Sequence, residues 1–191
     1  MIKAIIFDCF GVLVGSGFKE VYRQAGGDPN KDSDFIDDVL AAASSGMLSS
    51  RDMHQQVADK LGITIKDWSG FIGKHEQPNQ ELMDYIEDLQ KRYKLAILSN
   101  ATHGILERKF SSYQLALFQV KTVSAEAGVM KPNPEIYEIT AERLGVAPEE
   151  CVFTDDNPLY CEAAEAVGMK GIWYQNLTQF KQELEQIIKK V

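Results

Sequence analysis

Short apolar runs that alternate with longer amphipathic segments are the feature that most constrains how this chain can fold. Four runs are rich in β-branched or large apolar residues and a fifth is weaker; they span residues 4–7, 95–98, 151–153 and 171–174, with 118–123 as the weaker run. Runs of this length predict parallel strands when helices lie between them, because a parallel pair needs a long crossover connection. We therefore predict an α/β protein with a doubly wound, Rossmann-like parallel sheet that helices cover on both faces.

Helical patterns separate and follow these runs. The predicted helices span residues 81–92, 104–112, 134–144, 158–167 and 178–190. Pro134 and Pro158 suit the first position of a helix, where no backbone N–H is needed. Asn133 and Asn157 precede them and suit the capping position. Gly145 suits the position that ends the first of these two helices.

A long helical stretch follows the first predicted strand. Residues 15–78 are too many for a single crossover, and their patterns predict helices at 17–25, 31–43, 50–61 and 65–75. Apolar residues at 35, 36, 39 and 40 recur at helical spacing and suit the core of a small bundle. We predict an α/β core domain formed by residues 1–14 and 79–191, with an inserted helical domain at residues 15–78.

Composition and charge exclude several classes of function. The chain has 191 residues and a net charge of -8, with no basic block, which argues against a nucleic-acid-binding protein. No apolar run is long enough to cross a membrane, and the first residues lead directly into a strand rather than a signal peptide. Cys9, Cys151 and Cys161 lack metal-site spacing and are expected to be reduced packing residues. A cytoplasmic protein is therefore expected.

Polar residues stand at the carboxyl ends of three predicted strands. Asp8 follows the first run, Ser99 and Asn100 follow the second, and Asp155 and Asp156 follow the run at 151–153. Ligands of open α/β sheets bind in the crevice outside the carboxyl ends of the strands. These side chains are therefore expected to converge on one site.

Four segments in this order and spacing carry a resemblance to a known family. They are Phe7-Asp8-Cys9-Phe10-Gly11-Val12-Leu13, Leu98-Ser99-Asn100, the segment 124–137 with Lys131-Pro132 at its centre, and Phe153-Thr154-Asp155-Asp156 continuing to Gly168. Over essentially its whole length the chain resembles the haloacid dehalogenase (HAD) superfamily, in the subfamily whose helical cap is inserted after the first strand. The resemblance implies that residues 15–78 are this cap.

The resemblance implies a phosphate-transfer site. Asp8 would be the nucleophile that attacks phosphorus and forms an aspartyl-phosphate. Ser99 and the backbone N–H of Asn100 would hold the phosphoryl oxygens, and Lys131 would neutralise their charge. Such groups suit the reaction because phosphoryl transfer depends mainly on positioning and electrostatics.

The resemblance also implies a magnesium ion. Asp8, the Phe10 carbonyl and Asp155 offer the hard oxygen ligands that Mg²⁺ prefers. Asp156 completes the predicted metal site by orienting Lys131 or a metal-bound water. Haloacid dehalogenases need no metal and characteristically lack this acidic pair, so its presence favours phosphate transfer.

Two residues depart from the pattern of the family's phosphatases. Phe10 replaces a second Asp that usually protonates the leaving group, although some phosphatase relatives also lack that Asp. Dehalogenases carry an aromatic residue, usually Tyr, at the same place. Tyr160 occupies a position where an Asn or Asp often supports the metal. General acid–base assistance is worth about 10²–10⁴-fold, so better leaving groups are expected to be preferred.

Histidines and cap residues are further candidates for the site. His103 is the nearest candidate in sequence to replace the missing acid, although a helix-start residue is the simpler interpretation. His54 and His75 are expected at the surface of the cap. Several cap residues are candidates to face the crevice and select the substrate: Tyr22, Arg23, Arg51, Lys74 and His75.

We therefore predict a hydrolase: a Mg²⁺-dependent phosphatase that acts on a small phosphorylated metabolite through an aspartyl-phosphate. The alternatives are a 2-haloacid dehalogenase, which Phe10 suits, and a catalytically weak phosphate-binding protein. A phosphonate-cleaving enzyme is a further alternative, which would need a cap lysine as its amine. The sequence leaves the natural substrate and the oligomeric state open.

Overall fold

A five-stranded parallel sheet forms the centre of the molecule. The computed structural model describes residues 1–15 and 17–189. The strands are β1 (Ala4–Phe7), β2 (Lys94–Ser99), β3 (Val120–Val123), β4 (Cys151–Asp155) and β5 (Lys170–Trp173). Their order is β3-β2-β1-β4-β5, and each neighbouring pair is parallel. The predicted fold class is confirmed, and most strand ends lie within one or two residues of the prediction.

The register of the central strands aligns their carboxyl ends. Phe7 lies opposite Ile97 on β2 and Thr154 on β4. The Asp8 N–H donates to the Thr154 carbonyl at 2.9 Å, so the pairing continues one residue past β1. Asp8 and Asp155 therefore leave adjacent strands at the same level.

Helices lie between the strands and in the stretch after β1. The described residues form α1 (Phe18–Gln24), α2 (Ser33–Ser44), α3 (Ser50–Leu61), α4 (Ile65–His75), α5 (Gln80–Leu89), α6 (Ile105–Lys109), α7 (Ser112–Ala116), α8 (Ser124–Ala127), α9 (Pro134–Leu144), α10 (Pro158–Ala166) and α11 (Leu177–Lys189). The side chains of Asn133 and Asn157 cap α9 and α10 as predicted. Residues 16, 190 and 191 of the predicted segments lie outside the described residues.

The single helix predicted at residues 104–112 is wrong. Phe110 has extended backbone angles and ends α6, and Ser111 then begins α7 with a capping box. A reciprocal cap of this kind satisfies two backbone donors and so stabilises a new helix start. The short helix α8 was not predicted.

Apolar side chains cover both faces of the sheet. Ile5 and Phe7 of β1 pack in one cluster with α5 and α11, whereas Ala4 and Ile6 pack in the other with α9 and α10. This alternation follows from the two-residue period of a strand. The three cysteines are buried and free, as the sequence predicted.

Helices α1–α4 pack around an apolar cluster of their own. Trp68 is fully buried in it, and its ring meets the Phe18 ring edge-on at a centroid distance of 5.7 Å. Ile36 and Val39 are buried there and Phe35 and Leu40 are half-buried, in agreement with the predicted bundle core. The division of the chain into two domains stays a prediction. In the described part of the chain, no helix is long and apolar enough to cross a membrane.

Candidate active site

One cavity collects the polar residues from the carboxyl edge of the sheet. Its volume is about 1150 Å³, and its walls come from the sheet edge and from helices α1–α3, α6 and α10. Every residue of the predicted site lies along it: Asp8, Phe10, Ser99, Asn100, Lys131, Asp155 and Asp156. The structure thus brings together residues from four distant segments, and their individual roles stay predictions.

The Lys131 ammonium lies between two buried carboxylates. Its Nζ donates to Asp8 Oδ1 and to Asp155 Oδ2, each at 2.6 Å, and the lysine is 1% exposed. Tyr160 and Phe153 add aromatic faces, with Nζ 4.9 and 5.4 Å from their ring centroids. Tyr160 therefore contacts the site through the lysine, a role that its sequence position did not indicate.

The loop that carries Lys131 is bound to the end of β2 by an amide side chain. The Lys131 N–H donates to Asn100 Oδ1 at 2.8 Å, and Asn100 Nδ2 donates to the Lys131 carbonyl at 2.9 Å. The sequence indicated a role only for the backbone N–H of Asn100. Its side chain has a structural role as well, because it positions the lysine relative to Ser99.

The Ser99 hydroxyl is buried without a hydrogen-bond partner. Among the described residues only Ser99 Oγ and Thr122 Oγ1 are buried side-chain oxygens of this kind, and only Ser99 lines the cavity. A buried hydroxyl that makes no hydrogen bond is costly, since it loses its water without compensation. Ser99 Oγ is therefore available to bind an oxygen of a ligand.

Three carboxylates meet beside the lysine. Asp8, Asp155 and Asp156 each offer an oxygen, and these oxygens lie within 4.8 Å of one another. The Asp156 carboxyl occupies the space that a Cβ on Gly11 would need, and Gly11 has a φ of 90°. Glycine is thus required at this place for two reasons: its backbone angle, which other residues rarely adopt, and this close approach.

Burial and mutual repulsion change the acidity of these groups. Burial raises the pKa of Asp8 to about 7, with Asp155 and Asp156 adding to the effect and Lys131 opposing it. Burial and Asp155 raise the pKa of Asp156 to about 6. Burial alone would lower the pKa of Lys131, but the carboxylates of Asp8 and Asp155 outweigh it and raise that pKa.

The donor set fits a hard divalent cation. Three carboxylates face one ammonium, so negative charge is in excess, and the oxygens are close enough to share one ion. A cation there would favour the ionised form of Asp8. Oxygen ligands of this type suit Mg²⁺.

Of two histidines considered from the sequence, only His54 departs from its expected place. His103 is exposed and, within the described chain, is not part of the cavity wall. The prediction that His54 lies at the surface is wrong: it lines the cavity, and its Nδ1 accepts from the Trp68 indole N–H at 3.0 Å. Burial, and then the charges of Lys109 and Arg108, lower the pKa of His54 to about 4. Trp68 lies fourteen residues away on another helix, so no local pattern could have revealed the contact.

Of the five proposed cap residues, only Arg23 is among the described residues that line the cavity. Tyr22 is buried in the bundle, where its hydroxyl donates to Asp32 at 2.9 Å. Lys19, one of the cap lysines considered for the phosphonate-cleaving alternative, also lines the cavity, and several polar wall residues were not predicted: Glu20, Asp37, Glu76, Arg108 and Lys109. These residues lie on amphipathic helices or at helix ends. In the sequence, a polar residue that faces the cavity has the same spacing as one that faces solvent, so the two could not be distinguished.

Residues 2–168 match the model of the haloacid dehalogenase-like hydrolase family, so this chain belongs to that family. The predicted superfamily and the predicted hydrolase class are confirmed.

Similar proteins include phosphatases. The chain is 26% identical to D-ribitol-5-phosphate phosphatase of Bacteroides thetaiotaomicron over 207 aligned positions, which cover 98% of this chain and 99% of that protein. It is 27% identical to a phosphorylated carbohydrates phosphatase of Thermotoga maritima, with coverage of 90% and 84%. A HAD family enzyme of Bacteroides thetaiotaomicron, solved with magnesium and inorganic phosphate, superposes with a TM-score of 0.72 at 20% identity over 92% of this chain and 95% of that chain. This last likeness shows the fold.

Removing the lysine charge tests the electrostatics of the cluster. Lys131→Met is expected to lower the free energy of unfolding by about 3–5 kcal/mol at pH 8, since it leaves buried carboxylates without their cation. The loss is expected to shrink towards pH 5.5: carboxyl groups whose pKa is raised in the folded state favour folding less as the pH rises through that pKa. Urea unfolding in EDTA measures both effects.

Lys121→Met is the matched control, because Lys121 Nζ donates to the Leu115 and Phe118 carbonyls, with no carboxylate partner among the described residues. An equal loss at both pH values in Lys131→Met would contradict the electrostatic account.

Proposed function

We propose that the protein is a Mg²⁺-dependent phosphatase that cleaves a small phosphorylated metabolite through an aspartyl-phosphate. The observation that carries the proposal is the buried Asp8 carboxylate, bound by Lys131, beside the unpartnered Ser99 hydroxyl in one cavity. This is the set of groups that nucleophilic displacement at phosphorus requires. The phosphatases among the similar proteins support it.

Each group has a distinct role in this chemistry. Lys131 holds Asp8 Oδ1, which leaves Oδ2 as the oxygen that attacks phosphorus while the bond to the leaving oxygen breaks. Ser99 Oγ and the Lys131 ammonium stabilise the negative charge on the phosphoryl oxygens. Water then attacks the aspartyl-phosphate, which releases inorganic phosphate and restores Asp8.

Asp8, Asp155 and the Phe10 carbonyl would hold the metal, with Asp156 beside them. When bound, Mg²⁺ would neutralise charge on the phosphoryl group. Helices α1–α3 contribute Phe18, Leu40 and Met53 to the wall of the cavity. We propose that these helices act as the cap that excludes water and selects the substrate.

The direct test is phosphate release from p-nitrophenyl phosphate and a panel of phosphorylated metabolites. Release is expected with Mg²⁺, to be lost in EDTA, and to be absent in Asp8→Asn, whose amide is not a nucleophile. Circular dichroism checks that the variant is folded.

Phe10 beside Asp8 gives one specific reason to retain the dehalogenase as second candidate. Halide release from a 2-haloacid that survives EDTA, without phosphate release, would replace the phosphatase proposal. Phosphate binding without turnover across the panel would instead favour the weak binding protein.

The two unpartnered hydroxyls provide a matched pair of variants. Ser99→Ala is expected to lower kcat/KM by about 10²–10³-fold, because it removes a donor to the phosphoryl oxygens. Thr122→Val removes the other buried hydroxyl from β3, outside the cavity wall, and is expected to leave kcat/KM unchanged. Neither variant is expected to lose stability, since no hydrogen bond is broken.

The comparison needs steady-state kinetics and thermal unfolding on both variants. Equal kinetic effects of the two substitutions would show that Ser99 does not contact the substrate.

Because Phe10 stands where a carboxylic acid would protonate the leaving group, turnover is expected to depend on the leaving group of the substrate. Phe10→Asp is expected to raise the turnover of an alkyl phosphate by about 10²-fold or more and to change that of an aryl phosphate much less, because only the alkoxide needs a proton as it leaves. Phe10→Asn, of nearly the same size but unable to supply a proton, is the control. Comparable efficiency of the unmodified protein on both esters would indicate that another group already protonates the leaving oxygen.

A further inference from the structure

Among the charged residues that line the cavity, Arg108 stands apart. Beyond the catalytic group, six charged wall residues form three ion pairs within the described chain: Lys19–Asp37, Arg23–Glu20 and Lys109–Glu76. Arg108 also lines the cavity, and no carboxylate of the described residues lies within 4.0 Å of its guanidinium. Arg108 is exposed, and it therefore gives the wall a positive charge that takes part in no ion pair of the described chain.

Two hydrogen bonds tie this guanidinium to the loop that follows β2. Arg108 Nη2 donates to Thr102 Oγ1 and Nη1 donates to the His103 carbonyl, each at 3.2 Å. Both acceptors belong to the loop that follows Ser99 at the end of β2. An arginine has five N–H donors, so most of its donors remain available to a ligand.

His54 adds a neutral donor to the same wall. The Trp68 indole N–H can only donate, so His54 Nδ1 must accept, and a neutral His54 carries its proton on Nε2. Within the described chain Nε2 makes no hydrogen bond to a protein group. Burial, and then the charges of Lys109 and Arg108, lower the pKa of His54, which keeps it a neutral N–H donor around neutral pH.

We propose that Arg108 and His54 form an acid subsite that holds a second anionic group, a carboxylate or a second phosphate, on the substrate. The substrate class is then a small phosphate monoester that bears an acidic group away from the scissile phosphate. The inference rests on the proposed function, since it places the scissile phosphate at Ser99 and Lys131. Both members of the subsite offer donors only, and Arg108 supplies the charge, so an oxyanion suits them better than a neutral hydroxyl.

Three probes of matched backbone test the acid subsite: glycerol 3-phosphate, 3-phosphoglycerate and glycerol 1,3-bisphosphate. Their affinities for the Asp8→Asn protein are measured with Mg²⁺ by isothermal titration calorimetry, which needs no turnover. At least one of the two acidic probes is expected to bind about 10- to 100-fold tighter than glycerol 3-phosphate, the range of a charge-assisted hydrogen bond. A preference for one of them identifies the carboxylate or the phosphate as the second group.

The tighter binding of the acidic probes is expected to disappear when Arg108→Met is added to the Asp8→Asn protein. Arg143→Met, at an exposed arginine of α9 outside the cavity wall, is the matched control and is expected to preserve it. Equal affinity for the three probes, no binding of the acidic ones, or an advantage that survives Arg108→Met would overturn the proposal.

A second pair of variants tests His54 itself. Gln can accept from Trp68 and donate to a ligand, whereas Leu can do neither. In the Asp8→Asn protein, His54→Leu is expected to weaken binding of the preferred acidic probe about fivefold or more, and His54→Gln to retain most of it. Equal losses in both variants would remove His54 from the acid subsite.

Turnover separates this inference from the proposed function. If the unmodified protein releases no phosphate from p-nitrophenyl phosphate, the metabolite panel or the three probes while the Arg108-dependent preference is present, the phosphatase proposal fails and the acid subsite stands as a binding site. If phosphate is released but the probes bind alike, the acid subsite fails and the phosphatase proposal stands.

Discussion

The buried contact of Lys131 with Asp8 and Asp155 is the interaction on which the rest of the site depends. An ammonium inside a protein is unstable without close anions, and two inward-facing carboxylates are unstable without a cation. Each hydrogen bond measures 2.6 Å, and together they join the ends of β1 and β4 to the loop before α9. In the proposed reaction, the same contact leaves the other Asp8 oxygen to act as the nucleophile, with an excess of negative charge beside it. Lys131 therefore serves both the stability of the buried carboxylates and the proposed chemistry.

The parallel sheet makes this contact possible. Because the Asp8 N–H pairs with Thr154, Asp8 and Asp155 leave neighbouring strands side by side. Without a cation between them, the carboxylates of Asp8 and Asp155 would repel each other. The Lys131 ammonium binds both and so replaces the repulsion with attraction. Asn100 supplies the remaining constraint, since its amide binds the main chain of Lys131 from the end of β2. Three adjacent strands thus determine where the ammonium lies.

The sequence predicted what depends on local chemistry and missed what depends on distant contacts. Strands and strand ends were predictable because apolar runs and the polar residues after them are local, and Asn133 and Asn157 were predictable caps for the same reason. Phe110 broke a predicted helix because Ser111 and Gln114 cap one another, a pattern that the apolar spacing obscured. His54 was misplaced because its partner, Trp68, belongs to another helix. The contact of Tyr160 with Lys131 likewise required the fold.

In the proposed reaction, the absence of a carboxylic acid at Phe10 gives the cavity wall at Arg108 a larger part. Without a proton donor there, the barrier must be lowered by orientation and by charge stabilisation of the phosphoryl group. Binding energy from a remote part of a substrate can serve this purpose, because contacts away from the reacting centre align the centre itself. Arg108 is suited to this role, because Thr102 and His103 hold its guanidinium on the loop that begins at Ser99. Only a few residues of chain would therefore connect Ser99 to the group that holds Arg108. The two ends of a bound substrate would then be held in a nearly fixed position relative to each other.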